Sequence, residues 1–460
     1  MTTQRTRSIN SNIIFIIGAL GGLLFGFDTG VISGASSLIE TSLKLTINET
    51  SFVTSAVLIG SCIGALGVGG LADRFGRRPL LFIASIFFIG GALMSAFAPD
   101  FGIMILARII LGLAVGSASA LTPAYLAELS PTERRGSLQT LFQLMITFGV
   151  LVAYFINIGF LGHNLLGWSD WRWMLGTAVV PALALFIGSL ILPESPRFLV
   201  RAGKKKQSHA VLTRLRPEYT QEQINSELQD IENADANSHK GGIKELFTVG
   251  RAPLIAAIGI MFFQQLVGIN SVIYYLPQVF ERGFHLSDSI AIWISVGIGT
   301  VNFLSTILAT KIMDKFPRKK LLIWGALVMG FSLGIITIVN YTVNIQTAAV
   351  FTIILVAIYI FGFAVSWGPI CWILIGEMFP LNIRGVGSSF GSAANWIGNF
   401  LVTQFFLSVL VFFHNNIGGP FAIFTVFSFL SIIFVMKFVP ETRGKSLEEI
   451  ENELLKKNKK

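Results

Sequence analysis

The sequence predicts an all-α membrane protein with twelve transmembrane helices in two six-helix bundles, and three observations predict it. Hydrophobic residues make up 53% of the 460 residues and charged residues only 13%, about half the charged fraction of a typical soluble chain. The mean hydropathy is +0.70. Apolar runs of about 20 residues, each long enough to cross a bilayer as a helix, recur along the chain, and the motifs at their ends repeat between its two halves.

Twelve apolar runs define the predicted helices. They are too long and continuous for the alternating strands of a membrane β-barrel. A polar segment at about 197–248 separates the sixth run from the seventh, and its pattern predicts short surface helices. The first run is longer than the apolar core of a signal peptide and contains Asp28, so we expect no cleavable leader. The runs lie at 12–36, 51–72, 80–98, 102–126, 137–160, 172–192, 253–280, 290–313, 320–340, 347–376, 384–413 and 419–439.

These runs divide the chain into four parts. We expect an N-terminal bundle at 1–192, a cytoplasmic linker at 193–250, a C-terminal bundle at 251–440 and a cytoplasmic tail at 441–460. Lys and Arg in short loops set orientation, and thirteen on one side face three on the other. The thirteen are Arg5, Arg7, Arg74, Arg77, Arg78, Arg134, Arg135, Lys311, Lys315, Arg318, Lys319, Lys320 and Arg384; the three are Lys44, Arg172 and Arg282.

This asymmetry predicts that both termini and the linker are cytoplasmic. The net charge of +9 therefore follows from topology and gives no support for nucleic-acid binding. Cys62 and Cys371 lie in separate apolar runs, so they predict neither a metal site nor a disulfide framework.

Three motif pairs repeat between the halves at an offset of about 245 residues. The run Asp73-Arg-Phe-Gly-Arg-Arg78 returns as Asp314-Lys-Phe-Pro-Arg-Lys-Lys320. Glu128 precedes Arg135 by the same interval that separates Glu377 from Arg384, and Pro193-Glu194 returns as Pro440-Glu441. Internal repeats are typical of alternating-access transporters, whose substrate sites lie near the midplane at the repeat interface.

A row of uncharged polar residues interrupts the seventh apolar run. Helical spacing places Gln265, Asn270 and Tyr274 roughly on one stripe, with Gln264 beside it. Amides and hydroxyls both donate and accept hydrogen bonds, so the row suits an uncharged, hydroxyl-rich ligand such as a sugar. Polar side chains that hydrogen-bond one helix to another are the alternative interpretation.

Several motifs together resemble the sugar porter family of the major facilitator superfamily, over nearly the whole chain. The likeness is strongest to bacterial proton-coupled symporters of xylose and glucose. The Asp-Arg-x-Gly-Arg-Arg pattern alone marks only the superfamily, whereas the set is specific. The matching runs are Gly-Gly-Leu-Leu-Phe-Gly-Phe-Asp28-Thr-Gly, Gly70-Leu-Ala-Asp-Arg-Phe-Gly-Arg-Arg78, Pro193-Glu-Ser-Pro-Arg197, Gln264-Gln-Leu-Val-Gly-Ile-Asn270 and Pro440-Glu-Thr-Arg443-Gly.

Two opposite charges lie inside predicted helices of the first half. Asp28 is in the first and Arg108 in the fourth, and charges at such depth mark functional sites. We expect them to pair while Asp28 is ionised and to separate when it takes a proton, which would couple proton and substrate movement. The alternative is a fixed ion pair that joins the two helices. The resemblance favours coupling, because proton symporters of the family carry both residues.

The resemblance also implies a set of sugar-contacting residues. Asn395 departs from the enterobacterial xylose porter, which has Gln there, so the pattern of hydroxyl contacts stays open. The absence of a charge among the amides favours a free pentose or hexose over a sugar phosphate. Carried over by the resemblance are Gln143, Gln264, Gln265, Asn270, Tyr274, Trp372, Asn395 and Trp396; the residues themselves add Phe25, Asn302 and Asn399.

Charged residues at the predicted cytoplasmic helix ends form a second set. We expect them to act as a gate, in which a salt-bridge network holds the inner face shut; charges that only set topology are the alternative. A network of individually weak exposed pairs can still bias a two-state equilibrium. The set comprises Asp73, Arg74, Arg77, Arg78, Glu128, Arg134, Arg135, Glu194, Asp314, Glu377, Arg384 and Glu441.

These features favour a secondary active transporter that imports a neutral monosaccharide, D-xylose or a D-glucose-like hexose, with a proton. A proton-independent uniporter is the alternative mechanism. A sugar sensor would need a longer tail, and a membrane-embedded enzyme would need a carboxylate or metal cluster that the five histidines do not supply. We therefore expect no enzyme activity, no cofactor, no metal and no nucleic-acid partner. The expected form is a monomer in the bacterial cytoplasmic membrane.

Overall fold

The computed structural model describes residues 11–131, 135–236, 243–248, 250–313, 315–379 and 383–443. These residues contain helices and no strand. Twelve spans are long and apolar enough to cross a membrane, which confirms the predicted all-α, twelve-helix fold class. We number the spans in chain order and call the first six the first half and the last six the second half.

The first half begins with a span made of two helices. The second, third, fourth and fifth spans are single helices, and the sixth is again two. In order, the helices are Ser11–Gly18 with Leu20–Leu43, Ile47–Phe75, Arg77–Phe97, Phe101–Leu129, Arg135–Phe160, and Asp170–Gly176 with Val179–Ile191, the last pair preceded by the short 3-10 helix Leu165–Gly167.

The second half has broken helices in its seventh and tenth spans. Four short helices precede it, as the polar pattern predicts: Pro196–Arg201, Lys205–Leu215, Gln221–Ala236 and Ile243–Thr248. The spans are Arg251–Leu266 with Ile269–Phe284, Asp288–Ile312, Arg318–Thr342, Ile345–Ala364 with Trp367–Glu377, Arg384–Phe412, and Gly418–Phe438.

The same helix pairs pack in both halves. The first span packs on the fifth, the second on the fourth, the third on the fourth and the third on the sixth; the second half repeats this as seventh on eleventh, eighth on tenth, ninth on tenth and ninth on twelfth. Glycines permit the closest approach: a side-chain carbon at Gly60 would lie 2.2 Å from the Ile109 carbonyl oxygen of the fourth span. Small residues at such contacts are typical of membrane bundles.

Three helix pairs form most of the seam between the halves: the second with the eleventh, the fifth with the eighth, and the first with the seventh. The seventh span breaks at Gly268, whose φ of +90° is accessible to glycine at little cost. The tenth breaks at Ser366, two residues before the dipeptide Gly368-Pro369, a sequence signal typical of helix breaks. Pro369 has no N–H to donate to the preceding turn, and proline is tolerated in the first turn of the new helix.

A buried arginine fastens the linker to the first half. Arg216 donates to the carbonyl of Leu129 at the end of the fourth span (2.8 Å) and to Glu227 of the neighbouring linker helix (3.0 Å). A cation at a helix C-terminus is favoured by the helix dipole. The linker helices Lys205–Leu215 and Gln221–Ala236 are therefore held beneath the fourth span.

Candidate functional site

Asp28 and Arg108 form an ion pair in the interior of the first half. Their exposed fractions are 3% and 0%. The guanidinium contacts both carboxylate oxygens, at 2.5 Å and 3.2 Å, and its Nε donates to the Val53 carbonyl at 3.2 Å. The pair therefore joins the first, second and fourth spans. Sequence analysis predicted this pairing from the two isolated charges.

A hydroxyl pair leads from this ion pair to the other half. Thr29 follows Asp28 in the chain; its hydroxyl donates to the Phe25 carbonyl (2.9 Å) and lies 3.4 Å from the hydroxyl of Tyr274. Tyr274 is buried in the second helix of the seventh span. Tyr274 also interacts electrostatically with Asp28 and Arg108, so a change in charge at Asp28 affects a residue across the seam.

The amides of the seventh span point inward and bond to one another. Asn270 donates to Gln265 at 2.8 Å, and Gln265 lies 3.5 Å from the oxygen of Gln264. Asn395, from the eleventh span, donates to the same oxygen at 2.6 Å. The structure thus brings together four residues that sequence analysis placed in one site.

Gln264 also forms hydrogen bonds to the broken tenth span. Its amide nitrogen donates to the carbonyls of Trp367 (2.8 Å) and Gly368 (3.3 Å), directly after the break. All its hydrogen-bonding capacity is therefore directed at protein groups in this conformation. This role could not be predicted from the residues alone, because it depends on where the tenth span breaks.

One buried donor near the amides, the indole nitrogen of Trp396, has no partner among the described residues. The ring of Phe25 packs on Trp396 with centroids 5.2 Å apart. Buried donors are nearly always satisfied, so the Trp396 nitrogen is available to a ligand or to water. The side chain of Asn399 interacts with the Tyr274 hydroxyl, which supports the inclusion of all three residues in the candidate site.

Gln143 and Trp372 line a cleft between the halves. Thr140, Phe142 and Pro123 contribute to it from the first half, and Pro369 and Ile373 from the second. Asn302 is buried in the eighth span. Within the described part of the chain, its side chain has no hydrogen bond to the amide row, so the structure does not join it to the other predicted residues.

The end of the bundle that carries Arg74, Arg77, Arg78, Arg318 and Lys319 is called the basic end here. Two glutamates there cap helices of neighbouring spans. Glu194 accepts from the backbone N–H groups of Arg77 (3.0 Å) and Arg78 (3.3 Å), and Glu441 accepts in the same way from Arg318 (3.1 Å) and Lys319 (3.0 Å). Carboxylates are favoured at helix N-termini. Burial nevertheless raises the pKa of Glu194.

The ion pairs described at the basic end lie within the first half or join it to the linker. Arg77 contacts Glu128 at 3.0 Å and Asp73 at 3.5 Å, and Arg201 contacts Asp73 at 3.0 Å. Arg78 donates instead to the carbonyls of the sixth span at Ser189 and Leu190, and the Arg74 guanidinium lies over the Phe75 ring. Arg134 and Asp314 lie outside the described residues, as do the side chains of Arg135, Glu377 and Arg384, so the predicted network across the halves stays a prediction.

The opposite end carries polar contacts that do cross the seam. Arg282 donates to both oxygens of Glu40, at 2.7 and 2.6 Å. Gln278 donates to Ser36 at 3.1 Å, and Ser55 donates to Gln404 at 2.6 Å. The comparison of loop Lys and Arg residues treats Arg282 only as a sign of orientation, so its pairing with Glu40 was not predicted. The signal was a pair of opposite charges near the ends of the first and seventh predicted helices, on the same side.

The chain matches known proteins over nearly its full length. The model of the family described as "Sugar (and other) transporter" matches residues 14–454. A D-xylose transporter of Levilactobacillus brevis is 47% identical over 97% of this chain and 96% of its own, and a glucose transporter of Staphylococcus epidermidis is 41% identical over 97% of each.

A solved structure has the same architecture. It is that of XylE, a proton:xylose symporter of the major facilitator superfamily, bound to 6-bromo-6-deoxy-D-glucose. It is 34% identical, with a TM-score of 0.84 over 96% of this chain and 99% of that one. With its twelve spans, repeated helix pairs and polar residues gathered at the seam, the chain belongs to the sugar transporter family of the major facilitator superfamily.

Proposed function

We propose that this multi-pass protein of the bacterial cell membrane imports a neutral monosaccharide together with a proton. The observation that carries the proposal is the position of the buried Asp28–Arg108 pair, which interacts electrostatically with Tyr274 of the seventh span, the same span that carries the uncharged amide row. Coupling requires a titratable group that can influence the span that binds the sugar. The protein belongs to a family of transporters and is not an enzyme.

The coupling step follows from the cost of burying charge. While Asp28 is ionised, it neutralises Arg108 and holds the first and fourth spans together. Removing one partner of a buried pair leaves an uncompensated charge, which costs about 3–5 kcal/mol. Protonation of Asp28 therefore frees Arg108 to seek other acceptors, and Thr29 and Tyr274 transmit the change to the seventh span.

The sugar would lie among the amides of the seventh span, with Gln143, Trp372 and Trp396 around it. The unpaired indole nitrogen of Trp396 is a donor that a sugar hydroxyl can satisfy. An unpaired buried donor costs about 1–3 kcal/mol, so the wrong epimer would be rejected at this position. D-xylose is the first candidate and D-glucose the second, since relatives named for these sugars share 47% and 41% of their residues with this chain.

Alternating access requires two bodies, and we propose bundles at 1–192 and 251–440 joined by the linker at 193–250, with the tail at 441–460. The repeated helix pairs support this division. The excess of Lys and Arg supports a cytoplasmic basic end, with both termini on that side. In this conformation the seam between the halves is then closed on the outer side, where Arg282 pairs with Glu40. The cleft lined by Gln143 and Trp372 lies nearer the cytoplasm.

The charged set at the basic end would hold the inner face shut in the other conformation. We propose that Glu377 and Arg384 of the second half then meet the Asp73–Arg77–Glu128 group of the first. We also propose that the protein works as a monomer, because the two halves of a single chain supply both walls of the cleft.

Uptake of radiolabelled D-xylose in a host that lacks sugar transporters tests the proposal. Unlabelled glucose, galactose and arabinose serve as competitors and rank the substrates. Adding sugar to de-energised cells should make the medium alkaline as protons enter with it. Uptake without alkalinisation would favour a uniporter, and binding without uptake would favour a sensor.

A further inference from the structure

We propose that Glu40 and Arg282 form the ion pair that holds the seam shut at the end opposite the basic end. The proposal rests on the transport function above, because only a transporter needs this end to open. Neither residue belongs to the sugar-binding or proton-coupling sets. Their side chains are 22% and 23% exposed, so the pair is partly shielded from water.

The geometry of the pair suits a closure contact. Both distances run from one guanidinium nitrogen, at 2.7 and 2.6 Å, to the two carboxylate oxygens. Charge-assisted bonds of this length are about twice as strong as neutral ones. Glu40 lies near the end of the helix Leu20–Leu43 and Arg282 near the end of Ile269–Phe284, so the bond links the two halves directly.

Polar contacts follow the pair inward along the same two helices. One helical turn deeper, Gln278 donates to Ser36 (3.1 Å), and one further turn along the seventh span Tyr274 meets Thr29 (3.4 Å). Residues four apart lie on one helix face, so Tyr274, Gln278 and Arg282 all face the first span. Opening at Arg282 must therefore break these contacts in turn before it reaches the residue next to Asp28.

Nearby carboxylates make the arginine charge necessary. The carboxylate of Glu281 interacts electrostatically with Glu40, Arg282 and Asp288. Without Arg282 this corner would hold three acidic groups from both sides of the seam, and like charges repel. Arg282 therefore stabilises the closed seam both by its bond to Glu40 and by offsetting this repulsion.

Cysteine labelling tests the closure without requiring transport. Ser36→Cys is placed in a Cys62→Ser, Cys371→Ser background, and an impermeant maleimide is added to intact cells. Ser36 is buried beneath the pair, so the parent should react slowly. Glu40→Gln should speed labelling about fivefold, the population shift expected from a partly shielded pair, and Arg282→Gln at least as much, because it also removes the charge that offsets the repulsion.

The double variant Glu40→Gln with Arg282→Gln removes both members of the pair and is the safeguard where a single variant fails to fold. Its labelling should be no faster than that of Arg282→Gln, because both changes remove one interaction. Glu232→Gln is the matched control, since it breaks the exposed Lys205–Glu232 pair (2.8 Å) in the linker, and its labelling rate should equal that of the parent.

Labelling of all three seam variants at the parent rate would overturn the proposal, as would a double variant whose effect is the product of the two single effects. The same cells can be assayed for sugar uptake. Faster labelling in a protein that moves no sugar would support the closure pair and contradict the proposed function. Unchanged labelling with normal uptake would contradict the closure pair and support the proposed function.

Discussion

The side-chain amide of Asn395 donates a 2.6 Å hydrogen bond to the amide oxygen of Gln264. The amide nitrogen of Gln264 donates in turn to the carbonyls of Trp367 and Gly368. Three spans, the seventh, tenth and eleventh, therefore meet at one glutamine. In this conformation Gln264 shapes the second half of the site, while its neighbour Gln265 bonds to Asn270 within the seventh span.

Gln264→Ala should destabilise the protein more than Gln265→Ala. The first change removes hydrogen bonds to two carbonyls of the tenth span and to the Asn395 amide, at about 0.5–1.5 kcal/mol for each bond, and the second removes mainly the bond to Asn270. Thermal unfolding in detergent would measure the difference. Equal shifts in the unfolding temperature would contradict the role given to Gln264.

Asp28→Asn should abolish uphill sugar accumulation and retain part of the sugar exchange. Asparagine keeps the shape of the protonated acid but cannot titrate, so the proton no longer drives the cycle. Uptake by energised cells is compared with counterflow in vesicles preloaded with sugar. Accumulation at the wild-type level would refute the coupling role of Asp28.

Trp396→Phe and Trp367→Phe form a matched pair. The Trp396 nitrogen has no partner among the described residues, whereas the Trp367 nitrogen donates to the Leu322 carbonyl at 2.9 Å. Trp396→Phe should weaken sugar binding by about fivefold, the value of one hydrogen bond of about 1 kcal/mol, with little change in thermal stability. Trp367→Phe should lower thermal stability and change sugar binding little. Calorimetric binding and thermal unfolding of both variants measure the two effects, and a larger loss of binding in Trp367→Phe than in Trp396→Phe would contradict the assignment.

Glu194→Gln and Glu441→Gln should each lower the unfolding temperature. Each loses the carboxylate that caps a helix of a neighbouring span, and the loss of such a cap costs about 0.5–2 kcal/mol. Glu232→Gln in the exposed linker pair is the control. Unfolding temperatures that match this control would show that the two caps do not stabilise the bundle.

Much of this arrangement could be predicted from sequence. The twelve spans follow from long apolar runs, and the Asp28–Arg108 pair follows because few charges lie inside the first-half spans. The bonds of Gln264 could not be predicted, since they depend on a helix break at Ser366 that lies away from the Gly368-Pro369 signal. The Glu40–Arg282 pair was missed because charges near helix ends are read mainly as signs of topology.

The two glutamate caps have a mechanical consequence. Glu194 fastens the sixth span to the start of the third, and Glu441 fastens the twelfth to the start of the ninth. Each six-helix bundle is thereby cross-linked to itself at one end of its helices. During a transport cycle we therefore expect each bundle to rotate as a rigid body against the other, with little change in the packing of its own helices.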